Sequence, residues 1–320
     1  MNWQDGVERD LSLLFDNLAG PGRLYGLERH FWLDLWRVPV FEAVEENGIE
    51  VRHYGPIRAF AIATEPRTPL FNLVLGATAP GAVEAGHLAE ALDWTESLGV
   101  DCRIPIRPDF GEPAAAEDHL NQRGYRRAAS LAMFVRGGEP PDFPEPPGIE
   151  VDEIADEQEG FSNLFGAGYG MDFRWVGHSF FIGLPGRRDW RSYVAVDAAK
   201  NEGIGAATMM LHHEGAQLGF AATYESARGK GGHMALLRRR ILDGLAAGER
   251  EFFAITEESL DFPDSMSTAA RNLVRAGFGL AAVRTVWRPP EDLLAEDEED
   301  EDEDDLDDDG LNDHDFDLEG

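Results

Sequence analysis

The chain has 320 residues, with 28 Lys plus Arg set against 61 Asp plus Glu, a formal net charge of −33. So acidic a balance lacks the basic face that duplex nucleic acid demands, so no nucleic-acid partner is expected. The lone cysteine, Cys102, leaves no internal disulfide framework and fits a reducing cytoplasm. No run of about eighteen apolar residues is present. Met1-Asn2-Trp3-Gln4-Asp5 has no basic character, so neither a membrane span nor a secretory signal is expected.

In chain order, the aromatic cluster Phe31-Trp32-Leu33-Asp34-Leu35-Trp36 reads as core of the first half rather than a ligand cage. Phe71 to Gly76 reads as a strand, Val83 to Leu98 as a helix ended by Gly99, and Asp101 to Ile106 as the next strand. A helix near Ala114 to Arg123 ends in Leu120-x-x-x-Gly124-Tyr125, and Ala128 to Val135 reads as a strand. Gly137 to Gly148 then holds five prolines in twelve residues, a semi-rigid linker.

Beyond the linker, Gln217 to Thr223 reads as a strand. Ala227-Arg228-Gly229-Lys230-Gly231-Gly232-His233 reads as a tight, positive loop. A helix comes next, with Met234, Leu237, Ile241 and Leu245 at helical spacing and Gly248 at its C-terminal end. Arg250 to Ile255 reads as a buried strand, Ser267 to Ala276 as a helix ending in Gly277-Phe278, and Leu280 to Trp287 as a final strand. Leu273-x-x-x-Gly277-Phe278 matches Leu120-x-x-x-Gly124-Tyr125 in the same context, which points to a tandem repeat of one fold. The expected architecture is α/β (α+β): two domains, each a mixed, mostly antiparallel sheet flanked by helices. The divisions are 1–137, a linker at 138–148, 149–290, and an acidic tail at 291–320.

A strand, a glycine-rich loop and a helix in succession aim backbone N–H groups and a helix N-terminus at one spot, which suits a pyrophosphate. The spacing is not that of a P-loop, which ends in Lys-Ser or Lys-Thr. Nor is it the dinucleotide fingerprint with its Gly-x-Gly-x-x-Gly. The first half has Ala77-Thr78-Ala79-Pro80-Gly81 at the matching place, with no cation and one N–H lost to proline, so it is expected to hold no pyrophosphate.

The loop, the helix after it and the strand beyond resemble the GNAT acyltransferase superfamily, whose acyl-coenzyme A loop reads Arg/Gln-x-x-Gly-x-Gly/Ala. Arg228 and Gly231 match, while His233 stands where the family has a small residue. The later helix and its Gly277-Phe278 ending are similar too, and the resemblance covers about residues 148 to 288. It implies a tandem member with a degenerate N-terminal copy. It also implies acetyl-coenzyme A as acyl donor, no metal, and a primary amine, small or on a protein, as acceptor. The implied cofactor-binding residues are Ala221, Ala222 and Thr223 on the strand, where a bulge or splay frees N–H groups, and Arg228, Gly229, Lys230, Gly231, Gly232 and His233 on the loop. Many members carry a tyrosine four residues before the later Gly-Phe as acid; here that residue is Leu273.

Attack on a thioester by an amine calls for a base, since a lysine-like amine has a pKa of about 10.4. Glu225, Glu257 and Tyr224 are the candidates, with Glu258 beside them. A solvated loop for the acids and a structural strand-end role for the tyrosine are the competing readings. His212-His213-Glu214-Gly215 reads as a hairpin turn rather than a metal site. Arg238-Arg239-Arg240 reads mostly as a solvated face, from which one arginine could reach a coenzyme A phosphate. Phe173, Trp175, Phe180 and Phe181 stand where the resemblance places substrate-side helices, with core packing as the default reading.

Glu291 to Gly320 carries 19 acids and no Lys or Arg, which reads as a disordered tail. Lys200 and Lys230 are the only lysines beside 26 arginines, and the body without the tail is still −14, from 28 bases and 42 acids. This acid excess suits a salt-rich cytoplasm, although a high-GC coding bias also favours Arg over Lys. Besides the N-acyltransferase, two readings stand: a non-catalytic acyl-coenzyme A sensor, and a scaffold whose tail recruits a basic partner.

Overall fold

The computed structural model describes residues 21–156, 159–169 and 176–294. The acidic tail beyond Leu294, and Phe173 and Trp175, lie outside the described residues. The first half supplies α1 (Pro21–Leu35), α2 (Phe41–Asn47), β1 (Ile49–Tyr54), β2 (Ile57–Ile62), β3 (Leu73–Leu75), α3 (His87–Ser97), β4 (Ile104–Ile106), α4 (Pro113–Gln122) and β5 (Arg126–Gly137). The second supplies β6 (Ile149–Ile154), α5 (Glu159–Tyr169), α6 (Val176–Phe181), β7 (Trp190–Asp197), β8 (Glu202–His212), β9 (Gly215–Thr223), α7 (Gly232–Ala246), β10 (Glu251–Glu258), α8 (Thr268–Arg275) and β11 (Gly279–Arg288). No described helix is long and apolar enough to cross a membrane.

The strands form a three-stranded sheet, β1-β2-β3, and an eight-stranded sheet, β4-β11-β5-β10-β9-β8-β7-β6. Among the described residues, a single parallel bridge, Leu73 to Arg103, joins the two. The pairing is antiparallel except between β9 and β10 and at that bridge. This is the mixed, mostly antiparallel architecture expected. The halves do not keep separate sheets, however. β5 inserts between β10 and β11, and β11 between β4 and β5, so the last strand of each half pairs with the other half. A proline-rich segment breaks local structure, but it cannot prevent ladder pairing between strands on either side of it.

The two halves end their last helices alike. Gly124 and Gly277 take left-handed φ of +80° and +84°. Tyr125 N–H donates to Leu120 carbonyl, and Phe278 N–H to Leu273 carbonyl, each at 3.0 Å. Gly124 N–H to Asn121 and Gly277 N–H to Val274 complete each cap, also at 3.0 Å. This is the Schellman geometry, which only a residue tolerant of positive φ closes cheaply. The leucine and aromatic residue of each ending are buried and launch β5 and β11 into the shared sheet.

Some expected elements are shorter. α3 begins at His87, not Val83, because Gly86 sits at φ +78°, outside the helical region. β3 and β4 keep only three residues each. The cluster from Phe31 to Trp36 is not a private core of the first half. Phe31 and Trp32 pack on Phe220 at 5.7 and 5.9 Å between ring centres, and Trp36 packs on Phe180 at 4.8 Å. One face of α1 thus anchors in the second half, and Trp190 Nε1 donates to Asp34 there at 2.5 Å. Phe180 and Phe181 are buried in this shared core with Phe71 and Phe165.

Candidate functional site

β9 and β10 pair in parallel only through Ala216–Leu218 and Phe252–Ala254 and then diverge. On its other edge, β9 is bulged. Ala207 faces Ala221 and Met209 faces Leu218, so Thr208 alone opposes Gly219 and Phe220. Divergence and bulge together open a cavity of about 450 Å³. Its floor is Gln217 to Ala221. α1 contributes Glu28, Phe31 and Trp32, and α5 contributes Tyr169. α7 presents His233, Leu237 and Arg240, one face of the helix at i, i+4 and i+7. Ser267 and Leu273 close it from the α8 side, with Arg103 and Glu257 at another wall.

At the end of β9 the chain makes one short 3₁₀ turn, Glu225–Ala227, and then the loop. Gly229 and Gly231 take φ of +81° and +100°, which side chains rarely adopt. Among the described residues, no acceptor takes the backbone N–H groups of Gly229, Gly231, Gly232, His233 or Met234. The first helical bond of α7 runs from Ala235 to Gly231 at 2.9 Å. Arg228 and Lys230 are exposed beside them, and neither pairs with a described carboxylate, although the chain holds 61 acids. Arg228 donates instead to the Gly168 carbonyl at 3.2 Å, tying the loop to the end of α5. Free donors, a helix N-terminus and two unpaired cations make an anion cradle.

The matching loop of the first half is closed by its own chain. Gly81 N–H donates to the Glu112 carboxylate at 3.3 Å, and Glu112 N–H to Thr78 carbonyl at 2.7 Å. A Cβ on Gly111 would fall 1.7 Å from that carbonyl, so the covering segment lies tight on the turn. A carboxylate of the chain itself thus takes one N–H of this turn.

The strand residues Ala221, Ala222 and Thr223 run from the bulge to the cradle. The Tyr169 hydroxyl accepts from the Ala221 N–H, and local desolvation pushes the phenol up to about 12, although the residue as a whole is 38 % exposed. His233, at the start of α7, is held down to about 4 by burial and by Arg240, and is neutral at pH 7. Its Nδ1 lies 3.2 Å from Asn272 Nδ2 and accepts from that amide when the ring proton sits on Nε2.

Of the acid–base candidates, Glu257 lines the cavity, paired with Arg103 at 3.0 Å. Glu225 is exposed on the turn before the cradle, and Tyr224 packs partly buried against both cores. Glu258 is committed elsewhere. Its carboxylate takes the Ser267 N–H at 2.7 Å and hydroxyl at 2.6 Å, while Ser267 Oγ caps α8 through the Ala270 N–H at 3.1 Å. Leu273 lies in the cavity wall.

The arginine run is not a solvated face. Arg238 donates to the carbonyls of Pro141 and Phe143 in the linker. Arg239 bonds Val151 carbonyl and Asp243. Arg240 is 1 % exposed and lies under the bulge. Its Nε–H donates to Leu236 carbonyl at 3.2 Å, and its Nη1 to Thr208 and Gly219 carbonyls at 3.0 and 3.4 Å. Burial lowers it to about 10, so it stays charged at neutral pH. The reason lies in the helix: residue 240 is four beyond Leu236 and three beyond Leu237, on the buried stripe.

His212, His213 and Glu214 form the predicted turn between β8 and β9. The turn brings side chains that would alternate along a straight strand together, with possible ligand atoms within 4.8 Å of one another. His212 Nδ1 accepts from Glu214 N–H at 3.3 Å, and Arg23 donates to the Glu214 carbonyl, so the group is bonded as a turn.

Sequence reasoning did not single out Tyr169, Arg103 or the Glu28–Arg284 pair. All depend on contacts distant in the chain, which no local pattern announces.

No protein-family profile and no curated protein sequence matches the chain. Solved structures do. A GCN5-related N-acetyltransferase from Sphaerobacter thermophilus matches 73% of this chain over 76% of its own, at 15% identity and a TM-score of 0.54. One from Kribbella flavida matches 78% of this chain over 92% of its own, at 12% identity and a TM-score of 0.53. A functionally unknown conserved protein from Staphylococcus epidermidis matches 76% over 94%, at 9% identity and a TM-score of 0.52. At these identities the likeness is one of fold, and the chain has the fold of the GCN5-related N-acetyltransferases, the GNAT superfamily.

Proposed function

We propose that the protein is an acyl-coenzyme A-dependent N-acyltransferase, with acetyl-coenzyme A as donor and a primary amine as acceptor. The carrying observation is the open cradle at Gly229–Met234, with Arg228 and Lys230 unpaired beside it, leading along β9 into the cavity at the bulge. In this reading the coenzyme A pyrophosphate takes the free N–H groups at the start of α7. The thioester then lies along Ala221 to Thr223. The amine nitrogen attacks the thioester carbon, a C–N bond forms, the C–S bond breaks, and the sulfur leaves with the electron pair. N–H groups of the diverging strand stabilise the oxygen charge.

Glu257 and Glu225 remain the candidates to take the ammonium proton, directly or through water. A phenol held at about 12 gives its proton to a thiolate of reference pKa about 8.5 only uphill, so the leaving thiolate takes its proton from water or from the protonated amine adduct. Leu273 stands where the resemblance implies a tyrosine acid. Leu273 is also the observation that favours the second reading, a sensor that binds acyl-coenzyme A without turnover. Thiol release from acetyl-coenzyme A across a panel of amines separates the two. Acceptor-dependent release, with an acetylated product by mass, supports the enzyme, and tight binding without release supports the sensor.

A further inference from the structure

Arg240 is the one buried charge of the cavity wall without a charged partner among the described residues. It is 1 % exposed, and its three bonds go to neutral carbonyls of Leu236, Thr208 and Gly219. Its two Nη2 hydrogens have no acceptor among the described residues. The other charges around the cavity cancel in pairs: Glu28 with Arg284 and Glu257 with Arg103. Counting Arg284, which backs Glu28 from outside the lining, these groups leave one positive charge, in a chain with 61 acids and 28 bases. A buried guanidinium is costly unless an anion answers it.

The rest of the lining narrows the anion. Phe31, Trp32, Leu218, Phe220, Leu237 and Leu273 are apolar. One guanidinium suits a monoanion better than a phosphate dianion, and the phosphate-type donors are gathered at the cradle instead. Resting on the acyltransferase reading of this site, we propose that the cavity takes a ligand bearing a free carboxylate on an apolar body, seated on Arg240. Two sources share that chemistry: an amino-acid acceptor, or the acyl group of a dicarboxylic monothioester.

Two matched pairs, each with and without the carboxylate, test this by calorimetry on the full chain: phenylalanine against phenylalaninamide, and succinyl-coenzyme A against butyryl-coenzyme A. Loss of a charge-assisted hydrogen bond predicts at least about tenfold tighter binding of the carboxylate in one pair. A preference in the first pair makes the acceptor the source, and in the second the acyl group. Arg240→Met is expected to abolish the preference. Should that variant not fold, the wild-type pairs still decide. Equal or weaker binding of the carboxylate in both pairs overturns the proposal, as does binding by none of the four. If neither thioester binds while phenylalanine is preferred over its amide, the acyltransferase reading falls and the carboxylate site stands.

Discussion

Glu28 and Arg284 meet in a two-pronged ion pair, at 2.5 and 2.8 Å, 256 positions apart in the chain. Both are buried, at 2 % and 1 % exposure, and they lock α1 of the first half to the exchanged strand β11. A buried pair of this kind is worth little against an apolar replacement, but breaking it strands a charge. Glu28→Gln is therefore expected to cost about 3–5 kcal/mol in urea unfolding. The double variant Glu28→Leu/Arg284→Leu is expected to recover most of that loss. A single variant as stable as the wild type would show that the pair does not hold the halves together.

Ser267 caps α8 and shares two hydrogen bonds with the buried Glu258. Ser267→Ala removes the cap and one of those bonds. We expect a loss of about 1–2 kcal/mol, read from the thermal midpoint. An unchanged midpoint would mean that the Ser267 N–H alone satisfies Glu258.

His233 titrates at about 4 in the fold against an ordinary 6.5. The unfolded chain therefore binds the extra proton between those values, and stability rises with pH across the window. The contribution is complete above pH 6.5 and is lost as pH falls toward 4. His212, also held near 4, adds to the same slope. His233→Asn is expected to flatten the fall in urea midpoint across this window. Parallel pH profiles for wild type and variant would remove His233 as a contributor.

The net charge of −33 predicts self-repulsion that salt screens. Circular dichroism should show structure lost as salt is withdrawn, and restored by adding it back. A spectrum unchanged in dilute buffer would count against adaptation to high salt.

The second half is largely legible in sequence because its signals are local. The α7 stripe of Leu237 and Ile241, the Gly248 ending, and the loop glycines each act within a turn of where they stand. The repeated Leu-x-x-x-Gly-aromatic ending is legible for the same reason, since each cap closes within six residues. The exchange of β5 and β11 is not, because either strand has the same alternation whichever neighbour it pairs with. Nor is the shared aromatic core, for which Phe31 needs Phe220 and Trp190, residues far along the chain. Arg240 misleads in sequence because its charge argues for solvent while its spacing from Leu236 and Leu237 argues for the core. A guanidinium that finds carbonyls to bond can follow its spacing.

The cradle is the centre of the functional account, and Arg228 is the place to test it. A side chain on Gly231 would meet Pro146 at 2.7 Å, so variants there confound folding with binding. Arg228 is exposed and among the described residues bonds only the Gly168 carbonyl, so Arg228→Ala should leave the fold intact. The most direct measurement is isothermal titration calorimetry of acetyl-coenzyme A against wild type and Arg228→Ala side by side. Roughly micromolar binding is expected of the wild type, weakened at least about tenfold in the variant. No binding by either protein, or equal binding by both, would contradict it and leave the glycine loop as a turn.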